Sequence, residues 1–168
     1  MRRTVLATVL AVMAAVGMVG ACKEQKPVSA QTTGYDLSAA SNQKFLTDNA
    51  AKPGVTSLAS GLQYRVIKQG SGKSPTSGED LVTVTYKGSL IDGRAFDQTP
   101  PGQTATFPAG HLIAGWVEAL SLMREGDEWE LVIPATLGYG AEGAGNDIPP
   151  NATLVFDLTL IQVAPPQP

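Results

Sequence analysis

The side chains that could do chemistry in this sequence are aromatic rings rather than conventional acids, bases or thiols. The chain holds one histidine, His111, and one cysteine, Cys22, which argues against Cys–His nucleophile pairs and against Cys/His metal sites. The acidic residues show no paired spacing that would indicate general acid/base catalysis. The loop with Gly140, Gly143 and Gly145 runs into a predicted strand rather than a helix, so it does not predict a phosphate-binding loop. We therefore expect neither a metal nor a cofactor.

Aromatic residues make up only 6% of the chain, yet many are predicted at strand ends, at loop bases or on one helix face. They are Tyr86, Phe96, Phe107, Trp116, Tyr139 and Phe156. Taken alone, Trp116 is better explained as a core residue of a small domain. However, Asp97 directly follows Phe96, and Tyr139 lies within a glycine-rich stretch. Polar atoms beside aromatic faces are typical of a ligand pocket.

The elements that must position these rings can be predicted from hydrophobic periodicity. Alternating patterns predict strands at 62–66, 82–86, 104–107, 129–133 and 153–163, and Asp92-Gly93 predicts a hairpin turn. A helix is predicted over 111–123, with one apolar stripe of Leu112, Ile113, Trp116, Leu120 and Met123. Several strands and one crossing helix predict an α+β domain over 59–164, followed by a tail at 165–168.

The N-terminal region has the pattern of an export signal. Arg2 and Arg3 precede an apolar run from Val5 to Ala21, so we expect a signal peptide at 1–21, although an uncleaved anchor helix stays an alternative. The run ends in small residues before Cys22, which resembles the bacterial lipobox and predicts lipidation of that cysteine. Residues 22–58 are then a lipid-anchored tether with a short helix over 37–51. In a Gram-negative source, Lys23 after the cysteine favours the outer membrane.

The charge of the chain gives a further limit on partners. The formal net charge is −3, and no cluster of Lys or Arg follows the leader. The sequence therefore predicts no nucleic-acid binding.

Five segments of the chain together resemble the FK506-binding (FKBP) type of peptidyl-prolyl isomerase, in particular its bacterial macrophage infectivity potentiator-like branch. The resemblance covers about Ser60 to Val163 in the order and spacing of that family. The segments are Val84-Thr85-Tyr86-Lys87-Gly88, Asp92-Gly93-Arg94-Ala95-Phe96-Asp97, Leu112-Ile113-Ala114-Gly115-Trp116, Leu137-Gly138-Tyr139-Gly140 and Ile148-Pro149-Pro150-Asn151-Ala152-Thr153-Leu154-Val155-Phe156.

The resemblance implies a twisted antiparallel β-sheet wrapped around one short α-helix, with a pocket between them. It assigns catalytic positions to Tyr86, Asp97, Trp116, Tyr139 and Phe156, with Trp116 as the floor. It assigns substrate binding to Phe96, Phe107, Leu112, Ile113 and Ile148, with Ile148 near the rim. Two positions depart from the family pattern: Ala105 stands where another aromatic residue is often found, and Ala144 where a histidine is common.

The function implied is peptidyl-prolyl cis-trans isomerisation during the folding of periplasmic or envelope proteins. The implied ligands are proline-containing polypeptides and FK506/rapamycin-type macrolides. The bacterial branch often has a long helical dimerisation arm, whereas this chain has only the 22–58 segment, so we expect a monomer in the cell envelope, held at the outer membrane by its lipid. A binding module without turnover and a purely structural lipoprotein domain are the alternatives.

Overall fold

The computed structural model describes residues 33–166. The predicted signal peptide, the predicted lipidation site Cys22 and tether residues 23–32 lie outside the described residues. The elements, in chain order, are α1 (Ala39–Ala50), β1 (Val55–Ser57), β2 (Gln63–Lys68), β3 (Leu81–Leu90), β4 (Ala95–Gln98), β5 (Ala105–Pro108), α2 (Ala114–Leu122), β6 (Glu128–Ile133), a 3-10 turn (Ala135–Leu137) and β7 (Leu154–Ala164).

All seven strands form one antiparallel sheet in the order β1-β2-β6-β7-β3-β4, and β5 also pairs with β3. The two longest strands, β3 and β7, are paired along their lengths, from Leu81 opposite Ala164 to Leu90 opposite Leu154. β5 covers the first part of the outer edge of β3, and β4 covers its last part. The outer edge of the sheet is therefore built from two short strands, with a gap between them.

One face of the sheet packs against α2 and forms the core. The helix buries Trp116 and Leu120, and its C-cap residue Met123 is buried as well, as the apolar stripe predicted. The predicted alternation in β7 is also confirmed, because Leu154, Phe156, Leu158 and Leu160 are all buried in this core. Burial of a large apolar side chain contributes about 1.5–3 kcal/mol. The antiparallel sheet with a short helix confirms the predicted fold class.

Helix α2 begins three residues later than predicted, at Ala114 instead of His111. The preceding backbone is tied to another loop, because Ala109 N–H donates to the Asp80 carbonyl at 2.9 Å and Gly110 N–H to the Gly78 carbonyl at 2.7 Å. A Cβ on Gly110 would lie 2.9 Å from the Gly78 Cα, so the two backbones are in close contact. These contacts keep the residues before Ile113 out of the helix, and Ile113 is the N-cap.

The sheet also includes residues that the sequence assigned to the tether. Strand β1 precedes the predicted boundary at residue 59 and pairs with β2. It was missed because it has only three residues and follows Pro53-Gly54, which favours a turn. The boundary between tether and domain stays a prediction. Strand β1 belongs to the sheet and therefore to the domain.

Helix α1 docks on the sheet through buried amides rather than an apolar stripe. Its N-cap is Ser38, whose hydroxyl accepts from Ser41 N–H. Asn42 Oδ1 accepts from Thr153 N–H at 2.7 Å, and Asn49 donates to the Gln63 side chain at 2.9 Å. This polar docking explains why the helix has few apolar residues, as the sequence showed.

No helix between residues 33 and 166 combines the length and hydropathy needed to cross a bilayer.

Candidate active site

A cavity of about 190 Å³, open to solvent on one side, lies between the N-terminal end of α2 and the sheet. Nine of the ten residues predicted to form the pocket line it: Tyr86, Phe96, Asp97, Phe107, Leu112, Ile113, Trp116, Tyr139 and Phe156. They come from four strands, one helix and two loops, so only the folded chain brings them together.

Edge-to-face contacts between aromatic rings build the base of the cavity. Trp116 is only 4% exposed, and its ring centroid lies 5.2 Å from that of Tyr86 and 5.3 Å from that of Phe156. Phe96 meets Phe156 in the same way at 5.5 Å. These perpendicular geometries are favourable for ring quadrupoles and lock the rings against one another. The result is a rigid apolar surface with Trp116 at its base.

Gly88 makes the contact between two of these rings possible. A Cβ at this position would lie 2.6 Å from the Phe96 ring and 2.7 Å from the Phe156 ring. Any larger residue would therefore push the two rings apart. A glycine inside a strand is a signal of such close approach, but the local pattern around Gly88 does not indicate which rings it would separate.

A β-bulge in β4 directs two consecutive side chains into the same cavity. Gly88 pairs with Asp97, but the next residue of β3, Ser89, pairs with Ala95, so Phe96 is the extra residue. In a regular strand Phe96 and Asp97 would point to opposite faces. The bulge removes this alternation locally, and both residues line the cavity.

The polar part of the cavity is centred on a hydrogen bond between Tyr86 and Asp97. The Tyr86 hydroxyl donates to Asp97 Oδ2 at 2.6 Å. Burial of the phenol, together with this bond, raises the pKa of Tyr86 to about 12. The phenol is therefore neutral at physiological pH and acts as a donor. The sequence predicted both residues in the pocket but not their contact. The contact joins diagonal neighbours on two paired strands, so it depends on the strand register.

Tyr139 supplies a second phenol at the mouth of the cavity. Its side chain is 40% exposed, and among the described residues its hydroxyl has no hydrogen-bond partner. The loop that carries it is held by backbone bonds: Gly140 N–H donates to the Ala135 carbonyl, and Asn151 N–H to the Gly140 carbonyl. The hydroxyl is thus available to a ligand while its backbone is fixed.

Ile113 combines two roles at the start of α2. Its side chain lines the cavity, and its carbonyl accepts from Trp116 N–H at 2.9 Å and Val117 N–H at 3.1 Å. Its own N–H precedes the first helical residue and donates to no acceptor within residues 33–166. An unpaired N–H at a helix entrance is suited to bind a ligand carbonyl.

Ile148, which the family resemblance puts near the rim, is not among the residues that line the cavity. It is 6% exposed and belongs to the hydrophobic core, and its backbone forms a bridge with Ala144. The bridge turns the loop back on itself and buries the side chain. Ala105 and Ala144, the two positions that depart from the family pattern, are not among the lining residues.

The sequence matches two family descriptions. Residues 72–161 match "FKBP-type peptidyl-prolyl cis-trans isomerase". Residues 6–66 match "Domain amino terminal to FKBP-type peptidyl-prolyl isomerase".

Similar curated proteins come from several bacteria. A probable FKBP-type isomerase FkpA of Neisseria meningitidis is 50% identical over 74% of this chain and 46% of the relative. The FKBP-type 22 kDa isomerase of Escherichia coli is 49% identical over 77% and 63%. The outer membrane protein MIP of Legionella longbeachae is 48% identical over 74% and 53%. The chain thus spans about half to just under two thirds of the length of these relatives.

Solved structures give the same result. A peptidyl-prolyl isomerase of Pseudomonas syringae aligns with a TM-score of 0.70 and 41% identity, over 74% of this chain and 92% of that one. FkpA of Escherichia coli aligns with a TM-score of 0.71 and 40% identity, over 75% and 59%. With the matched segments, the sheet-and-helix fold and the ring-lined cavity, these similarities show that the chain belongs to the FKBP-type peptidyl-prolyl cis-trans isomerase family.

Proposed function

We propose that this protein accelerates rotation about X–Pro bonds in polypeptides, as a peptidyl-prolyl cis-trans isomerase of the FKBP type. The observation that carries the proposal is the cavity itself: a locked aromatic surface with one hydrogen-bonded phenol–carboxylate pair and one free phenol at its mouth. A pyrrolidine ring is apolar and flat enough to fit against such a surface, while the flanking peptide offers carbonyls to the polar groups.

The chemistry requires no bond to be made or broken. Resonance across the amide gives a rotation barrier of about 18–20 kcal/mol, which makes X–Pro isomerisation slow. At the perpendicular transition state this resonance is lost, and the carbonyl becomes less polar. An apolar cavity favours the twisted imide over the planar, more polar amide, so it lowers the barrier.

We assign roles to the lining residues from their positions. Trp116 is the floor on which the proline ring rests, with Tyr86, Phe96 and Phe156 around it. Ile113 N–H is placed to hold a substrate carbonyl at the mouth. The free Tyr139 hydroxyl is a second donor for the flanking peptide.

Phe107 and Leu112 complete the walls of this proposed substrate site. Asp97 keeps the Tyr86 phenol in place through its 2.6 Å hydrogen bond. A further electrostatic effect of the Asp97 carboxylate on the imide belongs to the same proposal.

An isomerisation assay on an X–Pro peptide tests the activity directly. We expect the purified chain to accelerate cis-to-trans conversion over buffer in proportion to its concentration. A chain that bound the peptide without acceleration would be a binding module and would contradict the proposal. A chain that neither bound nor accelerated would leave only the structural lipoprotein alternative.

We further propose that the protein is a monomeric lipoprotein of the bacterial envelope, anchored through Cys22, whose clients are folding periplasmic or envelope proteins. The support is the pattern of an export signal before Cys22, the lipobox-like residues and a relative named as an outer membrane protein. Replacement of Cys22 by Ser should move the protein from the membrane fraction to the soluble fraction. Unchanged partition would contradict the anchor.

FK506/rapamycin-type macrolides are proposed as competing ligands of the same cavity, because they would occupy the proline site. Inhibition of the assay by such a macrolide is the expected result. A light-scattering mass of one chain for the Cys22→Ser variant is expected if the protein is a monomer.

A further inference from the structure

The outer edge of β3 contains a gap at the residue that forms one wall of the cavity. β4 pairs with β3 from Lys87 onward, and β5 pairs with it only up to Val84. Tyr86 therefore lies between the two outer strands. If the backbone N–H or carbonyl of Tyr86 had no hydrogen-bond partner at this edge, its position would be less well fixed.

Thr99 fills the gap with its side chain. Continuing the register of Lys87 opposite Gln98 places Thr99 opposite Tyr86. Thr99 N–H donates to the Tyr86 carbonyl at 3.0 Å, the first bond of a normal strand pair. For the second bond, Tyr86 N–H donates to Thr99 Oγ1 at 3.1 Å instead of to a carbonyl. The same hydroxyl lies 3.3 Å from the Tyr86 carbonyl, to which it donates.

The local sequence explains why a side chain takes this place. Pro100 follows Thr99, and a residue before proline is restricted to extended backbone. The chain then turns away from the sheet at Pro101-Gly102, where Gln103 N–H donates to the Pro100 carbonyl at 3.0 Å and Gly102 has a φ of 75°. Strand β4 therefore ends at Gln98, and the hydroxyl of the next residue, Thr99, replaces the ladder bond that the departing backbone cannot make.

Tyr86 is thus held at both ends by residues of one short segment. Asp97 accepts from its hydroxyl, and Thr99 two residues later holds its backbone. We propose that Thr99 is a positioning residue of the active site, whose hydroxyl fixes the Tyr86 backbone so that the phenol stays bonded to Asp97 and edge-on to Trp116. This inference rests on the proposed isomerase function, but the placement of Tyr86 can be measured without activity.

The test replaces Thr99 by Val, which keeps the shape and removes the hydroxyl. We expect kcat/KM on the X–Pro peptide to fall about three- to tenfold, the factor that corresponds to one uncharged hydrogen bond. Thr99→Ser keeps the hydroxyl and should stay within twofold of the wild type. In a Tyr86→Phe background, where the phenol–carboxylate bond is absent, Thr99→Val should change kcat/KM by less than twofold.

A titration of the Tyr86 ring by NMR provides a readout that a merely structural role would not change. Burial and, after it, the hydrogen bond to Asp97 raise the pKa of Tyr86 to about 12. In Thr99→Val the pKa should fall by the part that the Asp97 bond contributes, because the phenol loses its fixed contact with the carboxylate. The Tyr86→Phe variant assigns the signal. Thr99→Ala is measured in the same way and replaces Thr99→Val if that variant does not fold.

Several results would overturn the proposal: an unchanged Tyr86 pKa in the variant without the hydroxyl, an unchanged kcat/KM, or an equal loss in the Tyr86→Phe background. If the wild type shows no isomerisation, the proposed function fails, while the titration still decides whether Thr99 positions Tyr86.

Discussion

The two ends of helix α2 use acidic side chains for different purposes. At the N-terminal end, Asp97 is exposed and accepts one hydrogen bond, from the Tyr86 hydroxyl in the cavity. Beyond the C-terminal end, Asp127 is 4% exposed and accepts from Gly70 N–H at 2.5 Å and from Arg124 N–H at 2.6 Å. The first carboxylate lines the proposed substrate cavity, and the second is buried and joins two loops through backbone N–H groups.

Glu125 belongs to the same region as Asp127. Its carboxylate accepts from Val163 N–H at 2.7 Å and from Lys73 N–H at 3.2 Å. It thereby joins the loop at 70–73 to the end of β7. The comparison teaches that residue type alone does not assign a role: the bonding partners and the burial of each carboxylate decide it.

The largest effect is expected beyond the C-terminal end of α2, from Asp127→Ala. The substitution leaves the Gly70 and Arg124 N–H groups without their acceptor in a buried site, so the free energy of unfolding should fall by about 3 kcal/mol. Urea unfolding measures it, and kcat/KM of the folded protein should change by less than twofold. Asp127→Asn keeps one acceptor oxygen and should be intermediate. A fall in the free energy of unfolding of less than about 1 kcal/mol would show that the Asp127 carboxylate does not stabilise this region.

At the cavity end, Asp97→Leu should reduce kcat/KM by about tenfold or more, because it removes a charge-assisted hydrogen bond from the Tyr86 phenol. The urea midpoint should change little, since Asp97 is exposed. Asp97→Asn, which retains an acceptor oxygen, is the matched control and should keep more activity. If Asp97→Leu kept wild-type activity, Asp97 would have no role in the site. The proposed difference between the two carboxylates would then be wrong.

A smaller effect on activity is expected from Tyr139→Phe, which removes only the free hydroxyl at the mouth. We expect kcat/KM to fall about three- to tenfold, as for one hydrogen bond to the substrate. Tyr64→Phe is the control, because Tyr64 stacks on Trp129 at 4.3 Å, away from the cavity. Equal activities of the two variants would contradict the role of the Tyr139 hydroxyl.

The smallest effect concerns Glu125 and the pH dependence of stability. The backbone N–H groups of Val163 and Lys73 lower the pKa of Glu125 below its ordinary value of 4.5. A lowered pKa in the folded state means that the stabilisation is fully present above that ordinary value and is lost as the pH falls below it. Glu125→Gln should therefore show a weaker decline of the unfolding free energy below about pH 4.5 than the wild type. Identical slopes would show that Glu125 does not contribute to acid sensitivity.

Much of the fold and of the site could be predicted from local sequence patterns. Alternation in β7 and the apolar stripe of α2 predicted which side chains are buried, because periodicity determines which face of an element each residue occupies. Of the ten pocket residues indicated by the family motifs, nine line the cavity. Ile148 is not among them, because a bridge to Ala144, formed within a long glycine-rich loop, turns its side chain into the core.

Local patterns thus predict the element types and the core faces, and the family motifs point to the rings that line the cavity. How these residues are coupled follows only from the folded arrangement. The β4 bulge aims Phe96 and Asp97 to one side, Gly88 lets two rings meet, and Thr99 completes the ladder at Tyr86. These couplings depend on strand register and on where the outer edge of the sheet divides. Both are set by long-range pairing, which no local pattern encodes.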